Sequence, residues 1–143
     1  MSGWYFVIFG VVGAVLWIIF EIRKTRKWQR SLAESRDTLT DEQFVDELQK
    51  LGVSNGTARF LLDEINFYYY PPLRPDPTDR IYSTLSIDPF DIADIIEKHW
   101  RELHDLPAPA ENVVCPDDPS LAELGLFLDA LVSTNSGLKN GHR

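Results

Sequence analysis

An uninterrupted apolar run constrains this chain more than any other feature. Residues 4–20 carry no charged side chain, and Glu21 ends the stretch. At the helical rise, roughly 18–20 such residues match the hydrocarbon thickness of a bilayer. A backbone in lipid can bond only to itself, so the run is expected to form a single transmembrane helix. Five cations follow at once: Arg23, Lys24, Arg26, Lys27 and Arg30. Positive flanks stay cytoplasmic, which puts the short N-terminus outside and the C-terminal bulk inside. The expected location is a cell (inner) membrane of the bacterial kind, crossed once. Trp4 and Tyr5 at one end, with Trp17 and Trp28 toward the other, suit interfacial aromatic belts. A cleaved secretory signal has the opposite order, with basic residues first and a small-residue cleavage site after, and Glu21-Ile22-Arg23 is a poor site. Gly10 and Ala14 give one small-xxx-small spacing beside Gly13, which permits weak homodimerisation in the membrane.

Charge divides the chain in two. The formal net charge is −8, yet residues 21–36 hold six basic and two acidic side chains. The other eight basic and 20 acidic side chains lie from Asp37 onward, a net of −12. The basic stretch Arg23, Lys24, Arg26, Lys27 and Arg30 is therefore expected at the surface of anionic lipid. The acidic remainder is repelled by nucleic acid and favours a basic-surfaced cytoplasmic protein as partner. Four regions follow: an anchor at 1–22, a basic juxtamembrane linker at 23–38, an acidic helical domain at 39–132 and a disordered tail at 133–143. Thr25, Ser31 and Ser35 interrupt the linker's pattern without ending it, which leaves a continued helix and a flexible stalk both open.

The acidic domain reads as short helices joined by proline-rich turns. Thr40 can cap a helix, Gln43 can return the bond, and Leu39 can staple onto Phe44. Phe44, Val45, Leu48 and Leu51 then share a face, and Gly52 stops the helix. Ser54 opens a second helix with Ala58, Leu61, Leu62, Ile65 and Tyr69 at core spacing, ended by Pro71 and Pro72. Residues 70–79 hold four prolines and are expected as a structured loop. Asp88-Pro89 supplies an N-cap and a proline at the first helical position, before an inward stripe of Ile92, Ile95, Ile96, His99 and Leu103. Asp118-Pro119 repeats that signal ahead of Leu121, Leu124, Leu128 and Leu131. No alternating strand pattern occurs. The expected fold class is all-α: one N-terminal transmembrane helix and a small four-helix bundle.

The segment Asp79-Arg80-Ile81-Tyr82-Ser83-Thr84-Leu85-Ser86-Ile87-Asp88-Pro89-Phe90-Asp91-Ile92 resembles the acyl carrier protein family. There a long loop ends in leucine and is followed by Gly-Ile/Ala-Asp-Ser-Leu-Asp-hydrophobic at the start of the second helix. Leu85, Ile87, Asp88, Phe90, Asp91 and Ile92 match by residue type, and the order of helices fits over roughly half the chain. The family attaches phosphopantetheine to the serine after the aspartate, where this chain has Pro89. Proline has no hydroxyl, so no cofactor is expected. The resemblance then implies a carrier-like scaffold that keeps the acidic recognition face Asp88, Asp91, Asp94 and Glu97, which in the family docks basic patches of partner enzymes. The alternative is an acyl or aminoacyl carrier that uses a non-standard attachment serine such as Ser86.

A catalytic or metal centre has little support. His99 and His104 are five apart, which is not the i, i+4 pairing of a shared metal, and His99 lies near the apolar stripe as a core-edge residue. Cys115 is the lone cysteine, with no activating base beside it in sequence. Phe67, Tyr68, Tyr69 and Tyr70 form an aromatic block that no helix can bury on one side, so at least one ring is expected exposed or packed under the proline loop. The function expected from these features is a membrane-tethered, non-enzymatic interaction module.

Overall fold

The apolar run and the basic stretch behind it form one continuous helix, α1 (Gly3–Glu34), in the computed structural model, which describes residues 3–105 and 114–139. At 1.5 Å per residue its 32 residues extend about 48 Å. The helix is long and apolar enough to cross a membrane, and the side chains of residues 4–20 are exposed. The linker is thus helical through Glu34 and is not a stalk.

The chain divides into two compact units, Met1–Asp37 with Tyr70–Leu73, and Thr38–Tyr69 with Arg74–Arg143. The first unit is therefore more than a single helix, because a four-residue strap returns to α1. The Tyr70 N–H donates to Gln29 Oε1 at 2.8 Å, and Gln29 is buried on a face of α1 where Thr25, Leu32 and Ala33 are half-buried.

The second unit contains α2 (Asp41–Lys50), α3 (Asn55–Ile65) with a 3-10 turn Asn66–Tyr68, α4 (Pro89–His104) and α5 (Leu121–Lys139). Helix α3 packs against α2, α4 and α5, and α4 packs against α5. Among the described residues the only strand-like feature is an isolated bridge between Arg80 and Ser120, so the all-helical expectation holds. Thr40 and Gln43 close the expected capping box on α2, Ser54 caps α3, and Asp88 caps α4 with Pro89 at the first turn. The core is Phe44, Leu48, Leu61, Ile65, Ile92, Leu121, Leu124 and Leu128, joined from the long loop by Ile81, Leu85 and Ile87.

Several expectations are corrected. Asp118 does not cap α5; Ser120 does, through a second capping box in which Ser120 Oγ accepts the Glu123 N–H at 3.2 Å and Glu123 Oε2 accepts the Ser120 N–H at 2.7 Å. Asp118, at φ 42°, accepts instead from the Tyr82 and Ser83 N–H groups and from the Ser83 hydroxyl. The hydroxyl bond is the main reason its carboxyl titrates below the usual range. Leu51 and Leu103 are exposed, and Trp100 takes the core position assigned to Leu103. Helix α5 continues to Lys139, well into the stretch expected as a disordered tail; residues 140–143 lie outside the described residues.

Candidate functional site

Two polar constellations form in the helical unit, and they differ in access to solvent. One lies inside it. The Asp129 carboxylate on α5 accepts from the Ser54 N–H at 2.7 Å, from Ser54 Oγ at 2.8 Å and from Thr57 Oγ1 at 2.6 Å. Thr57 Oγ1 also lies 2.8 Å from His99 Nε2. A hydroxyl has one proton, and Thr57 gives it to the carboxylate, so His99 Nε2 is the donor in the second bond. His99 therefore cannot act as base toward Thr57, and both side chains are buried. The cluster ties α3, α4 and α5 together and has no nucleophile–base geometry.

Burial, then the nearby His104, lowers the His99 pKa to about 4, with Asp129 opposing. Its Nδ1 has no hydrogen-bond partner among the described residues, nor have His104 Nε2 and Trp100 Nε1. His99 was expected at the core edge; it lies in the core, with Phe60 edge-on at 5.1 Å. Cys115 is half-buried, and burial raises its thiol pKa, the opposite of what a reactive thiolate needs. No group of three or more potential metal ligands exists among the described residues.

The other constellation is open. A groove of about 290 Å³ runs between the end of α3 and the start of α4, lined by Asp63, Glu64, Phe67, Tyr68, Asp91, Asp94, Ile95 and Lys98. Four carboxylates face one ammonium. Lys98 Nζ lies 3.0 Å from Glu64 and 3.8 Å from Asp94, and the Glu64 bond is the main cause of its raised pKa. Tyr68 donates its hydroxyl to Asp91; burial, then that bond, pushes its pKa up to about 12. Phe67 is 86% exposed at the groove, and Phe90 is 85% exposed on the first turn of α4. The arrangement can receive cations flanking an apolar group.

Of the four acidic residues singled out, the structure brings Asp91 and Asp94 into this groove and leaves the other two outside its lining. Asp88 is used as the helix cap, its Oδ1 accepting the Phe90 N–H at 2.8 Å. Glu97 pairs with Arg101 at 3.3 Å. Sequence reasoning missed Asp63 and Glu64, whose place one turn before Phe67 and Tyr68 is the signal that could have found them. The aromatic block separates: Phe67 is exposed, Tyr68 lines the groove, Tyr69 is buried with its hydroxyl on Asp79, and Tyr70 joins α1. Pro89 occupies the first turn of α4. Ser86 is exposed, with a left-handed φ of 54°. No family model, curated protein or solved structure matches the chain.

Proposed function

We propose that this chain is a membrane-tethered, non-enzymatic interaction module on a carrier-like helical scaffold. Helix α1 crosses the membrane once with its N-terminus outside, and the acidic unit docks a basic-surfaced cytoplasmic protein. The observation that carries the reading is the convergence of Asp63, Glu64, Asp91 and Asp94 around an exposed Phe67 in one groove. Aromatic side chains in such settings supply most of the binding energy, while surrounding charges set specificity and encounter rate. The tether raises the local concentration of the domain for any partner near the bilayer.

A photo-crosslinking residue at position 67 tests this in native membranes. We expect a protein adduct that disappears when Asp91, Asp94 and Glu97 are reversed to lysine, while the helical content of the variant is unchanged. An adduct that survives the triple reversal would remove the acidic groove from the function.

A further inference from the structure

The cations of the two units are used differently. In the helical unit Lys50, Arg74, Lys98 and Arg101 each meet a carboxylate within 4 Å. On α1, Arg26 and Arg30 have no carboxylate partner among the described residues, yet they form the wall of a pocket. That pocket encloses about 270 Å³ and is lined by Arg26, Arg30, Tyr70 and Pro71. Beside it, Arg23, Arg26, Lys27 and Arg30 line a second hollow, at the i, i+3, i+4, i+7 spacing of one helical face.

The pocket is built, and is more than a run of basic residues. Gln29 is fixed inside the unit by the Tyr70 N–H, which holds the strap against the helix. The Arg26 guanidinium sits 4.9 Å from the centre of the Tyr70 ring. A stacked guanidinium uses its face and leaves its N–H edges available for an anion. Two forks side by side fit the non-bridging oxygens of a phosphate by paired, charge-assisted bonds.

Its height along the helix selects the source of that phosphate. Arg26 lies six residues beyond Phe20, about 9 Å at the helical rise, and Arg30 about 15 Å. The headgroup layer on each side of the hydrocarbon is about 5–8 Å thick. Helical side chains lean toward the N-terminus, so both arginines reach back toward the bilayer.

We infer that Arg26, Arg30 and Tyr70 form a binding site for the phosphate of a net-anionic lipid headgroup, closed on one side by the Tyr70–Leu73 strap. A zwitterionic headgroup brings its own ammonium into a pocket already lined by two cations, and is disfavoured. This inference rests on the reading of α1 as a membrane anchor.

The test is native mass spectrometry of the full chain in mild detergent, offered phosphatidylglycerol or phosphatidylcholine. We expect retention of phosphatidylglycerol over phosphatidylcholine, and a loss of about tenfold or more in Arg26→Gln/Arg30→Gln. Arg26→Lys/Arg30→Lys keeps charge and helix but removes the forks and the stack, and should lose several-fold. Lys24→Gln/Lys27→Gln removes the same charge outside the pocket and should lose much less. Equal losses in the two glutamine variants, or full retention in the lysine variant, would reduce the site to diffuse attraction and overturn the inference. Displacement of the lipid by low-millimolar inorganic phosphate, without preference between the two lipids, would assign a soluble phosphate and overturn it also. Alkaline extraction of membranes reads the anchor separately: release of the wild-type chain sinks the anchor reading whatever the pocket retains.

Discussion

The same residue types meet opposite fates in the two units. Phe6 on α1 is 79% exposed, whereas Phe44 of the helical unit is 1% exposed and Leu61 is fully buried. Each fully buried side chain of this size contributes roughly 1.5–3 kcal/mol relative to exposure in water. The bundle obtains that contribution internally, from helices whose apolar residues recur on one face. Residues 4–20 of α1 are apolar all round and exposed, so no single face of that stretch is marked out for an internal partner. Periodicity, more than hydrophobicity, decides which of two apolar segments is buried in a core and which stays exposed along a single long helix.

The largest expected effect would break that contrast from the α1 side. Val12→Arg with Val15→Arg places two charges in the middle of the run, at roughly 2.5–3.5 kcal/mol each on insertion scales. Membrane association, followed by alkaline extraction, should be lost. Thermal unfolding of the bundle, followed through buried Trp100, should be unchanged. A bundle destabilised along with insertion would mean the two units are not energetically separate.

The reciprocal test acts on the core. Leu61 is fully buried on α3, the helix that packs against α2, α4 and α5. Leu61→Ala should cost about 2–5 kcal/mol through lost transfer energy and a residual cavity. Denaturant unfolding measures it, and membrane association should not change. A cost below about 1 kcal/mol would mean that the core collapses around the gap.

Solvent pH should also separate the units. His99 titrates near 4 when folded, against about 6.5 when unfolded. The unfolded chain therefore binds more protons between those values, and stability falls as pH drops from about 6.5 to about 4. The loss is on the order of 3 kcal/mol at full titration. His99→Leu should flatten this part of the profile, although Asp118 and Glu123, both held below the usual carboxylate range by hydrogen bonds, keep a further decline at lower pH. Urea midpoints at pH 7 and pH 4.5 measure the difference. An unchanged slope in the variant would assign the acid sensitivity to the carboxylates.

What the sequence made legible follows from how local each signal is. The Thr40–Gln43 capping box, the Ser54 cap and the Asp88-Pro89 start depend on residues within one turn, and all were readable. The cap of α5 was misassigned because Asp118-Pro119 carries the local signal, while Asp118 is drawn away by Ser83 and Tyr82, 35 and 36 residues earlier. The groove was half readable for the same reason. Asp91 and Asp94 follow from the spacing of α4, but Asp63 and Glu64 join them only through the packing of α3 on α4. The strap was unreadable, since a proline-rich loop gives no sign that Tyr70 will meet Gln29, 41 residues away.

The glycines provide the smallest and most local form of the comparison. A methyl at Gly125 on α5 would lie 2.9 Å from both γ-carbons of Val53 and 3.2 Å from a Leu61 methyl. Valine is stiff and its neighbours are buried, so the clash cannot be relieved by swinging a flexible tip. Alanine gains about 1 kcal/mol in helix propensity, while overpacking costs typically about 1–3 kcal/mol, so Gly125→Ala should be destabilising by about 1 kcal/mol net. At Gly10 a methyl meets nothing within 4 Å inside the chain. Gly10→Ala should therefore leave the single chain unstrained, and crosslinking in detergent then reads what lies outside it. A dimer that weakens in Gly10→Ala would place a second α1 against this surface, through the close approach that Gly10 and Ala14 permit. An unchanged crosslinking pattern would leave lipid as the neighbour of Gly10.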